Sequence, residues 1–310
     1  MSELLTASFL AAFIIACIAG AMPLMLAAVG ETIGEQSGVL NLGIEGMMLI
    51  GAYTGYVCAI ASHSVWIGML GGAIGGIAIS LVLMILNVWL GLNQIVLGIA
   101  ITIAGEGITS VLYHNTYGQS QPSIAPDRWQ IPGLSAIPAV GSSVFSQSGV
   151  FWVSILLAVA VAFLLSRTNW GLSIRAAGQQ PSSLDAAGGS VMKTRSQAVL
   201  LGGFFSGIGG AYLSLLSTGA FTPFMTAGVG YIAIVVTMLS RGRIWVVAAI
   251  SLLYGFTQAL GTALQLGGIS IPPQIISMLP YIVVMIVLLI FARSVYISPV
   301  LGAPYTRGAR

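Results

Sequence analysis

From Phe9 to Val29 the chain runs for 21 residues without one charged side chain, and comparable stretches recur almost to its end. A helix of about 20 residues crosses a hydrocarbon layer of roughly 30 Å. Read this way, spans fall at residues 8–29, 44–62, 65–88, 93–113, 150–166, 198–217, 228–240, 244–264 and 274–292. Three of these are short or closely spaced, so the expected architecture is all-α, a polytopic helical membrane protein with about nine spans, within a range of roughly eight to ten. Charged residues make up only 5% of the chain, against about 25% in a soluble domain, which excludes a soluble globular fold. A membrane β-barrel would alternate apolar and polar residues, whereas these runs are continuous. The first run lacks the basic leader and cleavage pattern of a signal peptide and reads as a retained span.

Basic residues near span ends are retained on the cytoplasmic side. Arg167, Arg175, Lys193 and Arg195 crowd one inter-span segment, Arg241 and Arg243 another, and Arg293, Arg307 and Arg310 the tail. Two spans separate each cluster from the next, so all three fall on one side. The segment 114–149 is rich in Ser, Pro and Gln, carries Arg128 as its one basic residue, and reads as the extracytoplasmic loop. The segment 167–197 reads as a cytoplasmic loop within a single transmembrane domain, 1–310. The C-terminus is then cytoplasmic and the N-terminus extracytoplasmic, and single cysteines at Ser123 and Ser196 should label from opposite sides.

Lipid gives apolar helices no reason to associate, so close packing between small residues must supply it. The 40 glycines include pairs four apart at Gly51–Gly55, Gly68–Gly72, Gly72–Gly76 and Gly203–Gly207, which read as packing faces. Pro23, Pro223 and Pro272–Pro273 are the expected breaks, since proline removes a donor and disfavours helix before it. Asn41, Glu45, Asn93, Gln94, Glu106, Gln258 and Gln265 are polar residues within apolar segments, where ionisable groups face a cavity or a partner. Glu106 admits three roles: protonated and packed, lining a solute path, or paired across subunits.

The stretch GETIGEQSGVLNLGIEGMM, residues 30–48, holds three of the seven acidic residues. Glu31 and Glu35 would share a helix face and repel. With Gly30, Gly34 and Gly38 around them and Ser37 between the last two, they suggest a broken helix near residues 30–45, covered by protein or lining a cavity. Asn41 and Glu45 would then open the next helix on one face, with Glu45 favoured by its dipole. Catalysis finds little support here: no nucleophile or His lies nearby, and His63 and His114 lack the spaced partners of a metal site. Cys17 and Cys58 sit in apolar segments as small buried side chains. The one lysine, Lys193, follows Met192 rather than a glycine-rich phosphate loop, so the chain should not hydrolyse ATP.

GETIGEQSGVLNLGIEGMMLIGAY resembles the permease subunits of ATP-binding-cassette importers of the ribose and branched-chain amino acid superfamily. It is most similar to the branch that takes up nucleosides and simple sugars with basic-membrane-protein-type binding lipoproteins. A second block, GLSIRAAGQQPSSLDAAGGSVMKTRSQAVLLGGFFSGIGGAYL, resembles the cytoplasmic loop in which a short helix docks on the ATPase. Pro181 suits a first helical position, Ser182, Ser183 and Asp185 a helix start, and Gly188 and Gly189 its end.

The resemblance implies an importer permease in a bacterial inner membrane, with no catalytic residue, metal or cofactor of its own. ATP and Mg²⁺ would bind in a separate ATPase. The coupling segment would comprise Arg175, Gly178, Pro181, Ser182, Ser183, Leu184, Asp185, Ala186, Ala187, Gly188 and Lys193. Asn41, Glu45, Asn93, Gln94 and Glu106 are the candidates for the solute path. Expected partners are a second, different permease subunit, ABC ATPase subunits, an extracytoplasmic solute-binding protein and membrane lipid, with no nucleic acid. Ribose-type permeases carry a further span before the matched region, an expected departure that would leave the first helix for a partner to cover. The alternative is an ion-coupled secondary transporter using Glu45 or Glu106, against which stands the lack of an internal repeat.

Overall fold

The computed structural model describes residues 7–118, 122–125, 141–266, 272–291, 298–303 and 305. Arg128, Arg293, Arg307 and Arg310, with most of the 119–140 stretch, lie outside the described residues. Among the described residues twelve α-helices follow one another: α1 (Ala7–Ser37), α2 (Ile44–Ser62), α3 (Val65–Leu83), α4 (Gln94–Tyr117), α5 (Gly141–Val144), α6 (Gly149–Arg167), α7 (Asn169–Gln179), α8 (Pro181–Ala186), α9 (Val191–Tyr212), α10 (Val229–Ser240), α11 (Ile244–Leu266) and α12 (Pro273–Phe291). Wider π-type turns extend α3 through Met84–Trp89 and α9 through Leu213–Ser217. Eight of these elements are long and apolar enough to cross a membrane, and α10 is a shorter apolar helix. At 12 residues, α10 rises only about 18 Å and cannot cross a bilayer unaided.

The centre of the bundle is α1 and α9, with α2, α3, α10 and α11 packed around them. The glycine pairs work there as close-packing faces. A Cβ at Gly55 would stand 2.8 Å from that of Ala211, and one at Gly76 2.7 Å from the Cα of Gly207. Backbones of α2, α3 and α9 therefore touch almost directly, which gives van der Waals contact in place of the hydrophobic drive that lipid removes.

The expected break near residues 30–45 is present at residues 38–43, but it falls after the glutamate pair rather than through it. α1 runs unbroken through Gly30, Glu31, Gly34 and Glu35 and ends at Ser37. Like-charge repulsion on a helix face costs only about 0.2–0.5 kcal/mol, too little to break a 31-residue helix in the core. Gly30 serves packing, since a Cβ there would lie 2.7 Å from that of Phe205. The break begins at Gly38, whose φ of +88° is left-handed. Gly38 N–H donates to the Glu35 carbonyl (3.0 Å) and Val39 N–H to the Gly34 carbonyl (3.1 Å), the paired bonds of a Schellman helix end. The non-helical turn covers residues 38–43, so Asn41 precedes α2 and shares no helix face with Glu45.

Pro23 also departs from expectation, for it sits inside α1. Proline leaves the carbonyl four residues back without its donor. That carbonyl belongs to Ala19, and the Ser217 hydroxyl donates to it at 2.7 Å. A side chain from α9's π-type turn thus completes the α1 ladder, as buried helices at membrane depth require. The other proline signals coincide with breaks: Pro223 lies in the irregular segment 218–228, and Pro273 opens α12.

The inter-helix contacts fix which ends lie together. Ser37, Ala177, Arg195 and Ala303 meet through the Arg195 side chain, and Gln36 Nε2 donates to the Gly242 carbonyl at 3.0 Å. All the described lysine and arginine residues, at 167, 175, 193, 195, 241 and 243, sit at this basic end. The opposite end gathers Tyr53, Tyr56, Tyr113, Tyr117 and Phe221 into a ring cluster, with centroids 5.3 Å apart for Tyr53–Phe221 and Tyr56–Tyr117. The segment expected as one cytoplasmic loop, 167–197, is largely helical: it holds α7, α8 and the first turns of α9.

Candidate functional site

The basic end carries a built junction. Thr168 caps α7, its hydroxyl oxygen accepting from Gly171 N–H at 3.2 Å. Gly178 near the end of α7 presses on the α1 terminus, where any Cβ would meet Gln36 and stand 2.9 Å from Gly38 N. The carbonyl of Gly178 accepts a short hydrogen bond from the Ser298 hydroxyl. Arg195 is buried on α9 and donates to the carbonyls of Ser37 (3.2 Å), Ala303 (2.8 Å) and Ala177 (3.4 Å). One guanidinium thereby satisfies three backbone carbonyls from separate segments, a use that suits its fixed fork of donors.

From this base α8 projects. Pro181 occupies its first turn, and the chain leaves through Gly188 at φ +83°. Leu184 is the buried anchor, packed with Ala177 and Val191. Ser182, Ser183, Ala186 and Ala187 are exposed, and Asp185 is half-buried. Ser190 caps α9 by accepting from Lys193 N–H at 3.3 Å, and the Arg175 and Lys193 side chains are exposed on either side. The result is a short knob held by one apolar contact on an otherwise rigid base.

The polar residues of the spans divide into three groups. Glu31 Oε1 accepts from Asn41 N–H at 3.0 Å, Asn41 Oδ1 accepts from Gly43 N–H at 3.0 Å, and Gln94 Oε1 accepts from Leu40 N–H at 3.1 Å. These three side chains satisfy the buried backbone of the 38–43 turn. Asn93 caps α4, accepting from Ile95 N–H at 2.9 Å, and with Gln94 lines a cleft of about 480 Å³ beside Gly302. Glu45, 3% exposed, stands apart: its two oxygens accept from Gly228 N–H and Gly230 N–H, each at 2.7 Å. It caps the start of α10, whose amides point positive within the bundle. Glu106 joins none of these groups and lies half-buried on α4, beside Gly107, where an added Cβ would meet nothing within 4 Å.

Sequence reasoning did not single out Arg195 as a fastener or Ser217 as the partner of Ala19. A basic residue just inside an apolar helix was the available sign of the first. The second had none, since its partner is 198 residues away. Among the described residues no three His, Cys, Asp or Glu side chains gather as a metal site.

An apolar bundle of eight candidate spans, a half-exposed irregular segment at 218–228 and an exposed helical knob at the basic end are the architecture of a membrane transport permease. A family model for the branched-chain amino acid transport system permease component matches residues 9–289, and the chain belongs to this family. It is 34% identical to a putative glucose ABC transporter permease protein of Haloferax volcanii, over 91% of this chain and 92% of that one. It is 32% identical to a guanosine ABC transporter permease protein of Bacillus subtilis, over 94% and 95%. It is 30% identical to a nucleoside ABC transporter permease protein of Lactococcus lactis, over 87% and 88%. No solved structure matches the chain. The protein is therefore the integral membrane permease subunit of an ABC importer, not an enzyme, with ATPase and solute-binding protein as its general partners.

Proposed function

We propose that this permease imports a nucleoside or a simple sugar, delivered by an external binding protein and driven by ATP bound with Mg²⁺ in the separate ATPase. The glucose, guanosine and nucleoside permeases to which the chain is similar support this solute class. The basic end faces the cytoplasm, following the retention of Lys and Arg near span ends, and the aromatic end faces outward. A second permease, expected as a different chain, completes the path. Glu106 faces that path on α4, Asn93 and Gln94 stand at its inner mouth, and Asn41 and Glu45 hold the turn and helix behind it.

The observation that carries the reading is the knob of α8. It pairs four exposed small residues with one buried leucine, on a base fastened to α1, α9 and the 298–303 segment. A push on α8 is thereby passed to α1 and α9, the centre of the bundle. Asp185→Arg, or deletion of residues 182–188, should leave the chain inserted while abolishing ATP-driven uptake in proteoliposomes containing the ATPase. Normal uptake by either variant would defeat the coupling assignment.

A further inference from the structure

A cleft of about 400 Å³ opens at the basic end between the last turn of α6, the first turn of α11 and the α10–α11 turn. Arg175, Arg241 and Arg243 line it together with Gln36, Leu165 and Trp245, and no carboxylate is among its lining residues. The site is built rather than incidental. Arg241 and Gly242 both take left-handed backbone, at φ 53° and 74°, and the Gln36 side chain is hydrogen-bonded to Gly242, which holds the turn against α1. The start of α11 also contributes through Ile244 to Val246, and a helix N-terminus favours an anion.

The other side of the cleft is apolar. Ala162, Leu165, Trp245 and Val246 line it there; Trp245 on α11 is 67% exposed, and Phe163 and Leu164, next to that lining on α6 but not part of it, are 60% and 41% exposed. Such side chains lie against acyl chains in a bilayer, and tryptophan prefers the headgroup boundary. A pocket with three guanidinium groups at one edge and lipid-facing side chains at the other matches an amphiphile with a phosphate-ester anion. We infer that this cleft binds the headgroup of an anionic phospholipid, with Arg241 and Arg243 on the phosphodiester and its chains along α6 and α11. The soluble alternatives share only the phosphate: they make no use of the apolar flank. Basic pockets between spans take acidic headgroups by this combination of charge and depth. The inference rests on the cleft alone and stands or falls independently of the transported solute.

The test titrates the full-length chain in neutral detergent with phosphatidylglycerol carrying brominated chains, which quench nearby tryptophan. The signal is the quenching that Trp245→Phe removes. Wild type should quench saturably with brominated phosphatidylglycerol and far less with brominated phosphatidylcholine, and excess inorganic phosphate should not compete. Arg241→Gln/Arg243→Gln should raise the half-saturation by about thirtyfold, at roughly fivefold for each arginine near the surface. Arg243→Gln alone, expected near fivefold, serves if the double variant misfolds. Equal quenching by both lipids, competition by free phosphate, or an unchanged double variant would each overturn the inference. So would a double variant that keeps its lipid quenching but no longer copurifies with the ATPase, which would give the cleft to a protein partner.

Discussion

The carboxylate of Glu45 offers the sharpest test of how the bundle holds an interrupted helix. α10 begins inside the protein, and its first amides have no carbonyl partner in their own helix. Glu45 accepts from two of them at 2.7 Å while itself 3% exposed. Hydrogen bonds to a charged group contribute about 1.5–3 kcal/mol each, so Glu45→Met, which keeps the length and loses both acceptors, should destabilise by about 3–6 kcal/mol. Glu45→Gln keeps one acceptor and turns a donor toward the second amide, and should cost about 2–3 kcal/mol. Against a total of about 5–15 kcal/mol for a domain, either loss is easily measured. The assay is thermal unfolding of the purified chain in one detergent, with solute uptake measured alongside in proteoliposomes. The expected order of stability is wild type, Gln, Met. A Met variant as stable as wild type would show that these amides find water or other acceptors, and the account of α10 as a helix capped from α2 would fail.

The same reasoning extends to neighbouring elements. Ser217→Ala leaves the Ala19 carbonyl bare beside Pro23 and should cost about 1–2 kcal/mol, while Ser217→Thr, which retains the hydroxyl, should recover part of it in the same melting assay. Gly210→Leu forces α9 off the Met48 carbonyl of α2, a contact with no room for a Cβ, and should cost about 1–3 kcal/mol or more; unchanged melting would contradict the glycine-face packing. Arg195→Lys keeps the charge but cannot span the carbonyls of Ser37, Ala177 and Ala303, so protease cleavage within residues 181–190 should accelerate relative to wild type. An unaltered cleavage rate would show that Arg195 does not fasten the junction.

Much of the molecule was legible in its sequence. Long apolar runs announce helices because lipid leaves backbone groups no other partner, and eight of the nine expected spans correspond to helices long enough to cross, while 228–240 corresponds to the short α10. The small helix at 181–186 was readable from Pro181 and Gly188 because capping is local chemistry. The helix end near Glu35 was not. Its position turns on Gly38, and the competing glycines at 30 and 34 look identical in sequence though they serve packing against α9 and the turn.

What the chain alone determined is the membrane as its solvent, the number of its long apolar helices within narrow limits and the gathering of the described lysine and arginine residues at one end, since each follows from the composition of a contiguous segment. Tertiary structure alone decided what the buried polar groups do. Glu45 belongs to α10, Ser217 to the proline of α1, and Arg195 to three carbonyls far apart in sequence. A polar group at membrane depth must find a partner, but the identity of that partner depends on which backbones the packing brings within about 3 Å, and no local pattern encodes that distance.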